Sequence, residues 1–173
     1  MIIARLNVGR IKTRYIFLVF VLTCSTLNSA YSAQKALALA STITRVSTDS
    51  SDTESDGTSY GSISNDGNIA LFSSDATNLV GSDTNGFTDV FVKDLTSGTT
   101  TRVSTDSSGT ESDGMSDITS ISNDNRYVVF QSDATNLVAS DTNGFIDIFM
   151  KDRQTGTTTR VSTDSSGTES DGM

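Results

Sequence analysis

Along residues 41–173, short apolar runs alternate with clusters of Asp, Asn, Ser, Thr and Gly, a pattern that predicts strands and turns rather than helices. In the second half of that stretch, 118–122 reads as a small-residue strand. The turn Asn123-Asp124-Asn125-Arg126 follows, rich in residues that tolerate left-handed backbone. Tyr127-Val128-Val129-Phe130 is apolar at every position, which predicts a strand covered on both faces. A long loop, 132–145, leads to Ile146-Asp147-Ile148-Phe149-Met150. The turn at Gln154-Thr155-Gly156 then gives a Thr- and Val-rich strand over 157–163. Residues 59–64, 69–72, 89–92 and 99–105 repeat the same order in the first half.

The repetition is nearly literal. RVSTDS begins at Arg45, Arg102 and Arg160, spaced by 57 and 58 residues. TESDG, SISND, SDATNLV and SDTNGF each recur between these markers. The one-residue difference lies between Gly57 and Ser62, opposite Gly114 and Ser120. A period of this length predicts a tandem array in which each unit cannot bury its apolar faces alone. Four antiparallel strands per unit, each unit covered by its neighbours, is the pattern of a β-propeller blade.

Residues 1–33 carry a different pattern. Arg5, Arg10, Lys12 and Arg14 precede the apolar run Tyr15 to Leu22, and small polar residues follow up to Ala33. Basic, apolar, then small is the order of a secretory signal peptide, and the run is short for a membrane span. The expected organisation is therefore a signal peptide at 1–33 and a repeat region at 34–173. The latter divides into an outermost strand at 41–49, units at 50–106 and 107–164, and the start of a third unit at 165–173. The expected location is periplasmic or secreted.

Composition narrows the chemistry. The chain has 173 residues, no His, no Pro, no Trp and one Cys, Cys24. No imidazole base, Ser-His-Asp triad, intramolecular disulfide or Cys-His metal site can be built from that set. Cleavage after Ala33 would take the net charge from −9 to −13, which argues against nucleic acid and anionic lipid as partners.

SISNDGNIALFSSD followed by TDVFVKDLTSGTTTRVS resembles the TolB-like β-propeller repeat, a WD-repeat relative found in exported bacterial proteins. The turn positions match at Ser64, Asp66 and Gly67, the next strand at Asp89 to Val92, and the following turn at Asp94 and Gly98. In the second unit they match at Ser122 and Asp124, Asp147 to Met150, Asp152 and Gly156, with Asn125 in place of the turn Gly. The resemblance covers about residues 41–173. It implies an all-β propeller fold but no particular activity, since propellers host many.

Oxygen-rich loops are the candidate sites. Asp83, Asn85 and Asp89 recur as Asp141, Asn143 and Asp147, with a Gly between, and these are ligand types suited to Ca2+. The spacing is not that of an EF-hand, and an Asx turn that pins the next strand is the commoner use of such residues. Asp75 and Asp133 could complete either arrangement. A second acidic loop runs Asp52, Glu54, Asp56, Gly57 and recurs at Glu111, Asp113 and at Glu169, Asp171. It reads as a solvated connector; Arg45, Arg102 and Arg160 are cations expected either to pair with it or to contact a ligand.

The function expected from these features is that of an exported, non-catalytic propeller module that binds or scaffolds a protein partner, completed by further blades. A calcium-stabilised surface or adhesion module is the alternative, and a hydrolase fragment ranks last. Two units would leave outer apolar faces of about 400 Å2, worth about 10 kcal/mol at about 25 cal/mol per Å2. The chain is thus expected to self-associate, either as part of a longer propeller, which is favoured, or as one of several chains sharing a ring.

Overall fold

The computed structural model describes residues 43–171. The expected signal peptide and cleavage site lie outside the described residues. From Arg45 onward the chain is one compact unit, and it is all β. Strands β1 (Ser59–Ile63), β2 (Ile69–Ser74), β3 (Asp89–Asp94) and β4 (Thr100–Arg102) form one antiparallel sheet in sequence order. Strands β5 (Ser116–Ile121), β6 (Tyr127–Ser132), β7 (Asp147–Asp152) and β8 (Thr158–Arg160) form the second in the same order.

The turns follow from side chains that replace missing ladder bonds. Before β2, the Ser64 hydroxyl accepts the Ile69 N–H at 3.0 Å and donates to Asp66 Oδ1 at 2.6 Å. Gly67 closes this turn at φ 73°, and Asn125 holds the same place in the second repeat at φ 59°. Asn tolerates that left-handed geometry, which explains the exchange. After β3, the Asp94 carboxylate accepts the N–H groups of Thr96 and Ser97, and Gly98 N–H bonds to Asp94 O.

The extra residue of the second repeat is absorbed as a bulge. Ile118 pairs with Phe130 and Ser120 with Val129, so Thr119 has no opposite number. Bulging keeps Ile118 and Ile121 on the buried face, whereas a regular ladder would turn one of them outward.

The main core lies between the sheets. Ile69 and Leu71 of β2, Val90 and Val92 of β3, and Val103 pack against Val128, Phe130 and Phe149 of the second sheet. Polar contacts join the sheets as well. Ser73 donates to Asp117 at 2.5 Å, and Asn125 donates to Asp66 at 2.7 Å. In register, Phe72 stacks on Phe91 at 5.7 Å and Phe130 on Phe149 at 5.8 Å.

Burial differs between the two copies. Strand β2 is buried at every position, as the sequence pattern predicts, but β6 alternates: Val128 and Phe130 are buried, while Tyr127 and Val129 are half-buried. The half-buried residues of β6 and β7, Val129, Ile148 and Met150, stand where Leu71, Val90 and Val92 stand in the first sheet. Those first-sheet residues are covered by the second sheet. Val103 is 3% exposed, whereas its counterpart Val161 is 44% exposed.

Three expected strands are shorter than the sequence suggests. Residues 43–47 form no strand, because no described strand lies where they could pair. The outer strands end at Arg102 rather than Thr105 and at Arg160 rather than Thr163. One residue on, Val161 N–H still bonds to Ile148 O, but Ile148 N–H turns to the Ser162 hydroxyl at 3.0 Å. That side chain replaces the backbone partner and ends the ladder.

Candidate functional site

Each predicted oxygen-rich loop closes around an arginine. Strand β4 places Arg102 opposite Phe91, on the face that carries Asp89 two residues earlier. Its Nη1 lies 3.3 Å from Asp83, 3.1 Å from Asp89 and 2.8 Å from Glu111. Its Nη2 donates to Ser82 O at 2.7 Å. The second copy repeats this: Arg160 Nη1 lies 3.3 Å from Asp141, 3.3 Å from Asp147 and 2.7 Å from Glu169.

Asp89 is fully buried and its oxygens are heavily engaged. Oδ1 accepts from the hydroxyls of Ser104 and Ser112, at 2.6 and 3.1 Å. Oδ2 accepts from Asn85 Nδ2 at 2.9 Å and from Arg102. Asn85 has a fixed orientation, since its Oδ1 accepts the Phe87 N–H and its Nδ2 also donates to Ser112 O, both at 2.9 Å. That amide turns its N–H side, not its oxygen, toward the carboxylates. Asn143 does the same with Phe145, Asp147 and Ser170.

Electrostatics follow from three carboxylates sharing one cation. Burial, reinforced by repulsion from Asp89, holds Asp83 above its ordinary carboxylate range against the pull of Arg102. Burial likewise raises Asp141, opposed by Arg160. Glu111 is lowered, chiefly by the Thr84 hydroxyl that donates to it, and Glu169 is lowered by Thr142 in the same way.

The arrangement ties three segments of chain together: the loop before β3, the end of β4, and the acidic connector of the following repeat. The predicted pairing of Arg45, Arg102 and Arg160 with the acidic connector is present in all three copies, although Arg45 meets only Glu54. One oxygen each from Asp141, Asp147 and Glu169 lies within 4.8 Å of the others, a spacing that suits a cation, and Arg160 supplies one there.

The other predicted acids turn elsewhere. Asp75 accepts the Thr58 N–H at 2.6 Å, away from Asp83 and Asp89. Asp56 accepts the N–H and hydroxyl of Thr77 at 2.8 and 2.9 Å, and Asp113 treats Thr135 likewise. The acidic connector is thus knitted to the SDATNLV loop.

Two buried lysines were not singled out by the sequence. Lys93 donates to Thr48, to Asp49 O and to Asp52 Oδ1 at 3.3 Å. Lys151, its counterpart, reaches Thr105 and Thr158 hydroxyls and the carbonyl of Asp106. Their position in the inward-facing alternation of β3 and β7 was the available signal. No protein-family model matches the chain, and no curated protein matches it either.

Proposed function

We propose that the two sheets are blades of a TolB-like β-propeller, and that the chain works outside the cytoplasm as a non-catalytic module that binds or scaffolds. One observation carries this reading. The face of the first sheet formed by Leu71, Val90 and Val92 is covered by the second sheet, and the equivalent face at Val129, Ile148 and Met150 is open. Its natural occupant is another blade, or a protein that presents similar apolar residues. The two deep carboxylate clusters support a non-catalytic role, because arginine, serine and amide groups take up the oxygens of Asp89 and Asp147.

Photo-crosslinking from Met150 in the exported protein tests the reading. A protein adduct that disappears with Val129→Glu supports it; a face that never crosslinks to polypeptide removes it. The second reading, a calcium-stabilised surface module, rests on the convergence of Asp141, Asp147 and Glu169. It requires Ca2+ to displace Arg160, so saturable calcium binding by the wild-type chain is its test.

A further inference from the structure

The two repeats differ in charge at one place. In the first sheet the buried Lys93 has a carboxylate, Asp52, at 3.3 Å. The residue equivalent to Asp52 in the next repeat is Gly109, and Lys151 meets only neutral oxygens. Asp52 and Gly109 share left-handed backbone, at φ 63° and 89°, so the exchange alters charge without altering the turn. At the start of the next turn, Leu95 of the first repeat is replaced by Arg153. Relative to its twin, the second site has lost one negative charge and gained one positive charge.

These changes line a cavity of about 580 Å3 between β4 with its following loop and the turn that leaves β7. Thr101, Ser107, Ser108, Gly109, Lys151 and Arg153 face it. The acids that act on these two cations are committed to their own turns: Asp106 accepts the N–H groups of Ser108 and Thr110, and Asp94 those of Thr96 and Ser97. Arg153 spends Nη1 on Asn125 O, which holds the side chain in place. Burial lowers both Lys151 and Arg153 from their ordinary values, the mark of cations short of a counter-charge. Charges further away are screened beyond about 8 Å at physiological salt.

We propose that this cavity is an anion site, which takes a small oxyanion group (sulfate, phosphate or carboxylate) against Arg153 and Lys151. Arg153 and the hydroxyls of Thr101 and Ser108 are its donors. Lys151 contributes charge rather than contact, since neutral acceptors already hold its ammonium group. The first repeat cannot offer the same site, because Asp52 occupies the counter-ion position and Leu95 brings no donor.

The test titrates sulfate and, separately, acetate into the full chain at constant ionic strength set with chloride, followed by amide NMR shifts at Ser108, Gly109 and Arg153. Arg153→Leu and Gly109→Asp each install the residue of the first repeat. Saturable shifts in the millimolar range are expected, weakened about tenfold or more in either variant: Arg153→Leu loses a charge-assisted contact, and Gly109→Asp places a like charge beside the anion. Gly109→Asp should keep a cooperative melt, since Asp52 holds the same left-handed turn in the first repeat, which separates loss of binding from loss of fold. Response to sulfate alone assigns a tetrahedral oxyanion, and response to acetate alone a carboxylate. No saturable shift with either anion, or unchanged affinity in both variants, overturns the proposal.

Discussion

Replacing Arg102 by Met removes the only cation between three carboxylates while keeping most of the side chain's volume. Side-chain exposure is 8% for Arg102, 3% for Asp83, 0% for Asp89 and 21% for Glu111, so solvent screens little of the cluster. Removing one partner of a buried pair costs about 3–5 kcal/mol, because the remaining charge is left without compensation. That is a large share of the about 5–15 kcal/mol that holds a typical domain together. Arg45 provides an internal control. Its partner is Glu54 alone, with side chains 54% and 70% exposed, and such surface pairs are worth about 0–1 kcal/mol. Urea unfolding followed by circular dichroism, at one fixed protein concentration, should show Arg102→Met and Arg160→Met losing comparable amounts and Arg45→Met almost nothing. Calcium should restore part of the loss in Arg102→Met, since three carboxylates then converge without a cation; at a hundredfold excess over its dissociation constant it returns about 2.7 kcal/mol. A loss below about 1 kcal/mol in Arg102→Met would refute the cluster as a structural clamp.

Gly114→Ala should destabilise by about 1–3 kcal/mol, because a Cβ there would sit 2.5 Å from Asp133 Oδ1 and 2.8 Å from the Ala134 backbone nitrogen; thermal melting measures it, and an unchanged melting temperature would contradict the packing. Stability should fall with acid. Glu111, Glu169, Asp94, Asp124 and Asp164 are all held below their ordinary values by hydrogen bonds, so their contribution is present above about pH 4 and is lost as pH falls through the lower folded values. Asp83 and Asp141 act in the opposite sense, since their raised values make them a cost at neutral pH that protonation relieves. Melting curves from pH 7 to about pH 3 should therefore decline below about pH 4, and Asp83→Asn should lose its advantage over the wild type as the pH drops.

Repetition made the strand order, both turn types and the starts of β1, β2, β3 and β6 legible, because each turn carries its own signal at Ser64, Gly67, Asp94 and Gly98. What depends on pairing was not legible. The length difference at Thr119 is visible in the sequence, but its absorption as a bulge follows from keeping Ile118 and Ile121 against the first sheet. The premature end of β8 depends on the Ser162 hydroxyl taking a ladder position, which no propensity encodes. The loops with Asp83, Asn85 and Asp89 are rich in oxygen, as read, but that pattern is silent on which cation sits among the oxygens. Strand alternation carried the missing clue: Arg102 faces Phe91 across the ladder and so shares a face with Asp89.

Sedimentation velocity of the chain without residues 1–33, with and without Val129→Glu and Met150→Glu, tests the propeller-blade account most directly. Both substitutions place charge on the open face that matches the covered face of the first sheet. The account predicts that the wild-type chain associates and that the double variant shifts to monomer. A wild-type chain that sediments as a single monomer and unfolds cooperatively would contradict it.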